Sequence, residues 1–211
     1  MRRYDPARFD SSIHGACGMI SAIILAAGES KRMGQPKMLL PWGKTTVLGK
    51  VISTFHDGGI TDVIVVTGGA NEQVEQIANQ YNARPVFNSD FASGEMLSSL
   101  QQGLKVQKDQ TQATLIGLGD QPQVQAGTVR SICATFRARE SKLIVPSFQR
   151  RRGHPWLVER SLWDELLIMK SPQSPRDFLN KHSKEIFYLE VETLTVLEDL
   201  DTPEDYQASR L

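Results

Sequence analysis

The sequence predicts an α/β protein built on a doubly wound, mostly parallel sheet with helices on both faces and a small hairpin-like insert. Three observations predict it. Short apolar runs alternate with segments whose apolar residues recur at helical spacing. The runs end in turns rich in glycine and aspartate, such as Ala26-Ala27-Gly28 and Gly119-Asp120. The chain has 211 residues, a length that suits one domain with a sizeable core, expected over residues 20–211.

The elements follow in order. Ile23–Ala26 is predicted as the first strand. Thr45–His56 carries Val47, Leu48, Val51, Ile52 and Phe55 on one helical face, and Gly58-Gly59 ends it. Asp62–Thr67 is a strand, Asn71–Ala78 a helix and Arg84–Phe87 a short strand. Ser98–Val106 is a helix with Leu100 and Leu104 on one side. Ala113–Gly117 is a strand and Val124–Arg137 a helix. Strand–helix alternation of this kind implies parallel crossovers. The last third departs from it. Lys142–Pro146 and Trp156–Val158 are expected as short strands around the polar turn Gln149–Gly153. Ser161–Ile168 and Arg176–His182 are expected as helices, Ile186–Leu189 and Thr195–Glu198 as strands, and Pro203–Ala208 as a closing helix.

Residues 1–19 are polar and aperiodic. Arg2 and Arg3 precede no apolar core, so the segment is expected to be a disordered tail, with Met19 an alternative start. The 24 basic residues balance 24 acidic ones, which argues against a dedicated nucleic-acid binder. Runs such as Val63-Ile64-Val65-Val66 are too short to span a membrane. Cys17 and Cys133 are far apart and in no metal-ligand spacing. A disulfide framework is therefore not expected, and a reducing cytoplasm fits.

The chemistry concentrates after the first strand. Gly28, Ser30, Arg32, Gly34 and Lys37 share one loop. Glycines let backbone N–H groups approach a bulky anion, and Arg32 and Lys37 bring two positive charges to the same place. A nucleoside triphosphate suits such a cradle. No Gly-Lys-Ser/Thr closes the loop and no G-x-G-x-x-G is present, so it is neither a Walker loop nor a dinucleotide fingerprint. Asp120 sits at the carboxyl end of another strand, where ligands gather in open sheets. Facing a triphosphate, it needs an intervening cation, and Mg2+ is hard, prefers oxygen and bridges phosphates. Gly-Asp-x-Pro is also good turn chemistry. The Glu198-Asp199-Leu200-Asp201-Thr202-Pro203 stretch offers a second carboxylate or a helix cap.

The string L-A-A-G-x-S-x-R-M-G-x-x-K resembles the signature of nucleotidyltransferases that activate a phosphate with an NTP. Its continuation Gln35-Pro36-Lys37-Met38-Leu39-Leu40-Pro41-Trp42 is most similar to the molybdenum cofactor cytidylyltransferases. The resemblance runs from Ile20 to Tyr206. It implies a Rossmann-like fold of the nucleotide-diphospho-sugar transferase type. The implied reaction is transfer of CMP from CTP to molybdopterin, with Mg2+ as cofactor. A recipient molybdoenzyme or its chaperone is the further partner it suggests.

The resemblance makes Lys37, Arg32 and Asp120 the catalytic set. Its nucleotide-binding set is Leu25, Ala26, Ala27, Gly28, Ser30, Arg32, Met33, Gly34, Lys37, Gly68 and Asn88. It places metal on Asp120 and Asp201, with Asp199 competing for the second role. Gly153-His154-Pro155, beside Arg150–Arg152, resembles the family's acceptor-side motif, where His154 contacts the phosphate or the pterin, or braces the loop. Ser93 and Gly94, in Asn88–Met96, resemble an anion-binding turn, with an ordinary helix cap as the plainer reading. Ala27 fits the cytidylyl branch; guanylyltransferases usually carry glycine there. Two alternatives stay open: another acceptor, such as a sugar or polyol phosphate or guanylyl transfer to molybdopterin, and a non-catalytic nucleotide- or cofactor-binding chaperone.

Overall fold

The computed structural model describes residues 19–28, 30–92, 95–139 and 141–209. The tail expected over residues 1–19 lies outside them except for Met19, which instead opens the first strand.

Strand β1 (Met19–Leu25) is longer than its apolar run because Met19–Ser21 also pair with neighbours. A two-stranded ribbon, β2 (Pro41–Trp42) with β3 (Thr45–Thr46), leads into helix α1 (Val47–Asp57). The Thr46 side chain caps α1 by accepting from Gly49 N at 3.0 Å. Gly59, at φ +92°, follows the helix in the left-handed region open to glycine. There follow β4 (Asp62–Thr67), α2 (Asn71–Gln80), β5 (Arg84–Phe87), α3 (Glu95–Lys105), β6 (Thr111–Leu118) and α4 (Ala126–Ala138). Then come β7 (Leu143–Phe148), β8 (Arg151–Arg152), β9 (Trp156–Glu159), α5 (Trp163–Ile168), α6 (Pro175–Lys181), β10 (Phe187–Glu190) and α7 (Pro203–Ser209).

The main sheet has the order β10-β7-β9-β6-β1-β4-β5, with β8 paired to β7. β1 lies parallel to β4 and β6, β4 to β5, and β7 to β10. β9 runs antiparallel between β6 and β7. The expected insert is thus only partly a hairpin. β7 and β8 form one, but Trp156-Leu157-Val158 is buried in the sheet interior. Thr195–Glu198, expected as a strand, is corrected: Leu194–Leu197 is a single 3-10 turn. The Thr193 side chain accepts from Thr195 N at 3.3 Å, and Val196 O is taken by His154 N at 2.9 Å.

Helices cover both faces. Leu48, Ile52 and Phe55 of α1, Val74 of α2 and Ile132 of α4 pack with Ile24, Val65 and Leu115 on one. Leu100 of α3, Leu166 of α5 and Phe178 of α6 pack with Ile23, Ile64 and Trp156 on the other. Each such side chain contributes about 1.5–3 kcal/mol by burial. Among the described residues no helix is long and apolar enough to cross a membrane.

From β1 the chain winds outward through β4 to β5, then returns to place β6 on β1's other side. The strand order therefore reverses between β1 and β6, and a crevice opens beyond their carboxyl ends. The turns that follow β1 and β6, at residues 26–28 and 119–120, stand at those ends.

Candidate active site

Backbone bonds spread the turn after β1 across its neighbours. Ala26 N donates to Val66 O, and Leu25 O accepts from Gly119 N, both at 2.9 Å. Leu25, Ala26 and Ala27 are buried, whereas Gly28 is exposed, with no atom within 4 Å of where a Cβ would lie. Gly68 is the reverse. A Cβ there would lie 2.5 Å from Ala27 O and 2.8 Å from the Cβ atoms of Ala27 and Phe91. Gly68 lets β4's end press against the turn.

The following loop is clasped. Ser30, at φ 53°, accepts Lys37 N on its Oγ at 3.0 Å and Met33 N on its carbonyl at 2.9 Å. Gly34 takes φ +66°. Met33 does not face the crevice; it is buried in a third apolar cluster with Leu40, Val47, Leu200 and Tyr206. Tyr206 Oη of α7 donates to Pro41 O at 2.6 Å.

That cluster brings residues 199–206 onto the loop, and Leu200 N donates to Asp120 O at 3.1 Å. The charges then converge. Lys37 Nζ donates to Asp120 Oδ2 and lies 3.5 Å from Asp201 Oδ1; Arg32 Nη2 lies 3.0 Å from Asp201 Oδ2. Four residues singled out in the sequence, from three separate stretches, thus form one ion cluster.

Asp199 points elsewhere. Its Oδ1 accepts from Gln121 Nε2 at 2.8 Å. Desolvation pushes its carboxyl above the usual range, the Gln121 bond opposes this, and the Asp120 and Asp201 charges add to the rise. Gln121 itself is buried, and its Oε1 has no hydrogen-bond partner.

The Gly153-His154-Pro155 turn, expected on the acceptor side, is packed against the Leu194–Leu197 turn. Gly153 N donates to Pro146 O at 2.8 Å, and a Cβ at Gly153 would lie 2.6 Å from Val196 O. Burial drives the pKa of His154 down to about 4 against the attraction of Asp199, so its imidazole is neutral at pH 7. Asn88 is fully buried. Its Nδ2 donates to Ser98 Oγ (2.9 Å) and Ser99 Oγ (3.0 Å), and its Oδ1 accepts from Asp90 N at 3.0 Å. Asn88 thereby ties β5 to α3 and is not brought to the ion cluster. Ser93 and Gly94 lie outside the described residues.

Sequence reasoning missed Leu200 and Tyr206 as anchors of the site. The available signal was the Asp199-Leu200-Asp201 alternation, which turns the apolar residue inward and its two neighbours outward.

Asp120 and Asp201 fit a hard divalent cation. Both are oxygen donors at the crevice, and Mg2+ uses one or two carboxylates, taking its other ligands from phosphates and water. Among the described residues no group of three or more His, Cys, Asp or Glu side chains is arranged around a metal position.

Comparison with known proteins fits this geometry. The MobA-like NTP transferase domain matches residues 22–186. The molybdenum cofactor cytidylyltransferase of Escherichia coli (strain K12) is 32% identical over 188 residues, covering 89% of this chain and 93% of its own. The nicotine blue oxidoreductase of Paenarthrobacter nicotinovorans is 31% identical, covering 88% and 93%. The crystal structure of Rv0371c from Mycobacterium tuberculosis H37Rv superposes with a TM-score of 0.80 at 28% identity, covering 92% and 98%; the same protein has been crystallised with manganese. The glycine-rich loop, the switch-point crevice and the match over most of its length agree: the chain belongs to the MobA-like NTP transferase family.

Proposed function

We propose that the protein transfers CMP from CTP to the terminal phosphate of molybdopterin, giving the cytosine dinucleotide and pyrophosphate. The observation that carries this reading is the convergence of Lys37, Arg32, Asp120 and Asp201 beside the open Ala26–Gly28 turn. The E. coli relative's name supports the choice of nucleotide and acceptor.

An oxygen of the acceptor phosphate attacks the α-phosphorus. A new P–O bond forms, the α–β bridging bond breaks, and its electron pair leaves with pyrophosphate. A phosphate monoester is mostly dianionic at pH 7, its second pKa being about 6, so no general base is required. The site's task is to align two anions and neutralise their charge. Lys37 and Arg32 hold phosphate oxygens, and the Ala26–Gly28 backbone reads the base. When bound, Mg2+ held by Asp120 and Asp201 supplies the charge neutralisation between carboxylates and phosphates. His154, neutral, offers the acceptor a hydrogen bond without adding charge. The Ala27 methyl narrows the base site against a purine, an effect of about 1–3 kcal/mol.

Pyrophosphate release from CTP, GTP, ATP and UTP, each with molybdopterin and Mg2+, tests the reading. CTP is expected to lead. Equal rates with GTP would remove the cytidylyl assignment and leave nucleotidyl transfer standing. Release with none of the four, alongside intact nucleotide binding, would favour a chaperone.

A further inference from the structure

The charges that a metal–nucleotide complex would engage are already paired within the protein. Two cations, Lys37 and Arg32, meet two carboxylates, Asp120 and Asp201. The pairs differ in depth. The Lys37 and Asp120 side chains are each 13% exposed, while Arg32 is 71% and Asp201 38% exposed. The outer pair is screened by water and easily released; the inner pair is shielded, and separating it without replacement leaves a poorly solvated charge. The Lys37 ammonium also bridges oxygens of both carboxylates, the donors a hard divalent cation would need.

We propose that Lys37 is an internal competitor for the divalent cation, and that metal and triphosphate bind interdependently because each releases the other's partner. A metal ion alone must displace the ammonium from Asp120 and Asp201 and leave it uncompensated. A triphosphate alone must draw Lys37 and Arg32 away and leave two carboxylates facing phosphate. Together they exchange partners: the ammonium passes to phosphate oxygens and the carboxylates to the metal. Such coupling is reciprocal by linkage. The inference rests on the proposed function only in taking the anion to be a nucleoside triphosphate.

Mn2+ alone is the probe, titrated into wild-type protein and Lys37→Gln and read by calorimetry and by electron paramagnetic resonance of the free ion. Lys37→Gln is expected to bind Mn2+ about tenfold tighter or more, within the usual range of coupling between sites. Equal or weaker binding by a variant with a native circular dichroism spectrum would overturn the proposal. Should the variant fold poorly, the wild-type protein supplies the second measurement. Acylation of Lys37 by a small amine-reactive reagent, followed by mass spectrometry against exposed Lys105, is expected to accelerate as Mg2+ is raised. A rate that stays flat would overturn the proposal. Neither readout contains CTP or an acceptor, so loss of the cytidylyl reading and loss of this one are distinguishable.

Discussion

Two glycines beside the same turn separate room for a ligand from room for the fold. At Gly68 a Cβ would stand 2.5 Å from Ala27 O, where real Cβ contacts essentially never fall below 3.0 Å, so the turn must retreat by about 0.5 Å. The obstacle is backbone bonded to its neighbours, with Ala26 N fixed to Val66 O. Gly68→Ala is therefore expected to cost about 1–3 kcal/mol by overpacking. For a domain of this size, that lowers Tm by roughly 2–4 °C per kcal/mol. At Gly28 a Cβ meets nothing within 4 Å, and its φ is not in the left-handed region. Gly28→Ala is expected to raise stability by about 0.4–1 kcal/mol, through a less flexible unfolded chain. The same methyl would keep CTP from the backbone and weaken its binding about tenfold, or about 1.4 kcal/mol. Thermal melts and calorimetric CTP titrations on both variants measure the two effects. If Gly28→Ala bound CTP like the wild type, the nucleotide would not approach this turn. If Gly68→Ala melted like the wild type, the crowding argument would be wrong.

Other outcomes follow from the same geometry. Desolvation lowers the pKa of the partly buried His154 ring from 6.5 to about 4, so between those values the unfolded chain takes up a proton that the folded chain refuses. This contribution is complete above pH 6.5 and is lost as pH falls toward 4, by up to about 3 kcal/mol. Urea unfolding at pH 4.5 and 7 should show that slope in wild type but not in His154→Gln; equal slopes would assign the titration elsewhere. Leu200→Ala empties a fully buried position against Met33 and Tyr206 and is expected to cost about 2–5 kcal/mol. It should also speed hydrogen exchange over residues 30–47, and unchanged exchange there would uncouple that loop from residues 199–206. Asp120→Asn removes the carboxylate nearest Lys37. It is expected to abolish the metal dependence of CTP binding while tightening metal-free binding, because Lys37 is freed for phosphate and one facing carboxylate is gone; retained Mg2+ dependence in calorimetry would remove Asp120 from the metal site.

The sequence shows where the chemistry follows the strands, because residues that end an apolar run occupy the sheet's carboxyl edge regardless of how the strands are ordered. Asp120 was legible for that reason; Lys37 lies well beyond the end of β1, and it is the loop clasped by Ser30 that brings it to Asp120. β9 was not legible. Trp156-Leu157-Val158 has the apolar character of a strand, but nothing local says that it slots antiparallel between β6 and β7. Thr195–Glu198 misled in the opposite direction: β-branched residues favour a strand, yet the turn's carbonyl at Val196 serves His154 instead of a neighbouring strand. Asn88 carries a polar side chain in a binding-loop context, and only packing reveals that Ser98, Ser99 and Asp90 consume its hydrogen bonds.

The clasp between the glycine-rich loop and residues 199–206 also sets an order of assembly. Lys37 and Asp201 are 164 positions apart, and Tyr206 and Pro41 are 165. A ribosome making this sequence therefore releases the loop long before the segment that holds it. Until Leu200 and Tyr206 emerge, Met33 and Leu40 lack their apolar partners and Arg32 lacks its carboxylate. Contacts this distant in sequence are slow to close. A released chain cut before Leu200 would carry the strands of the sheet without the contacts that clasp this loop, so the loop's order depends on residues far along the sequence from it.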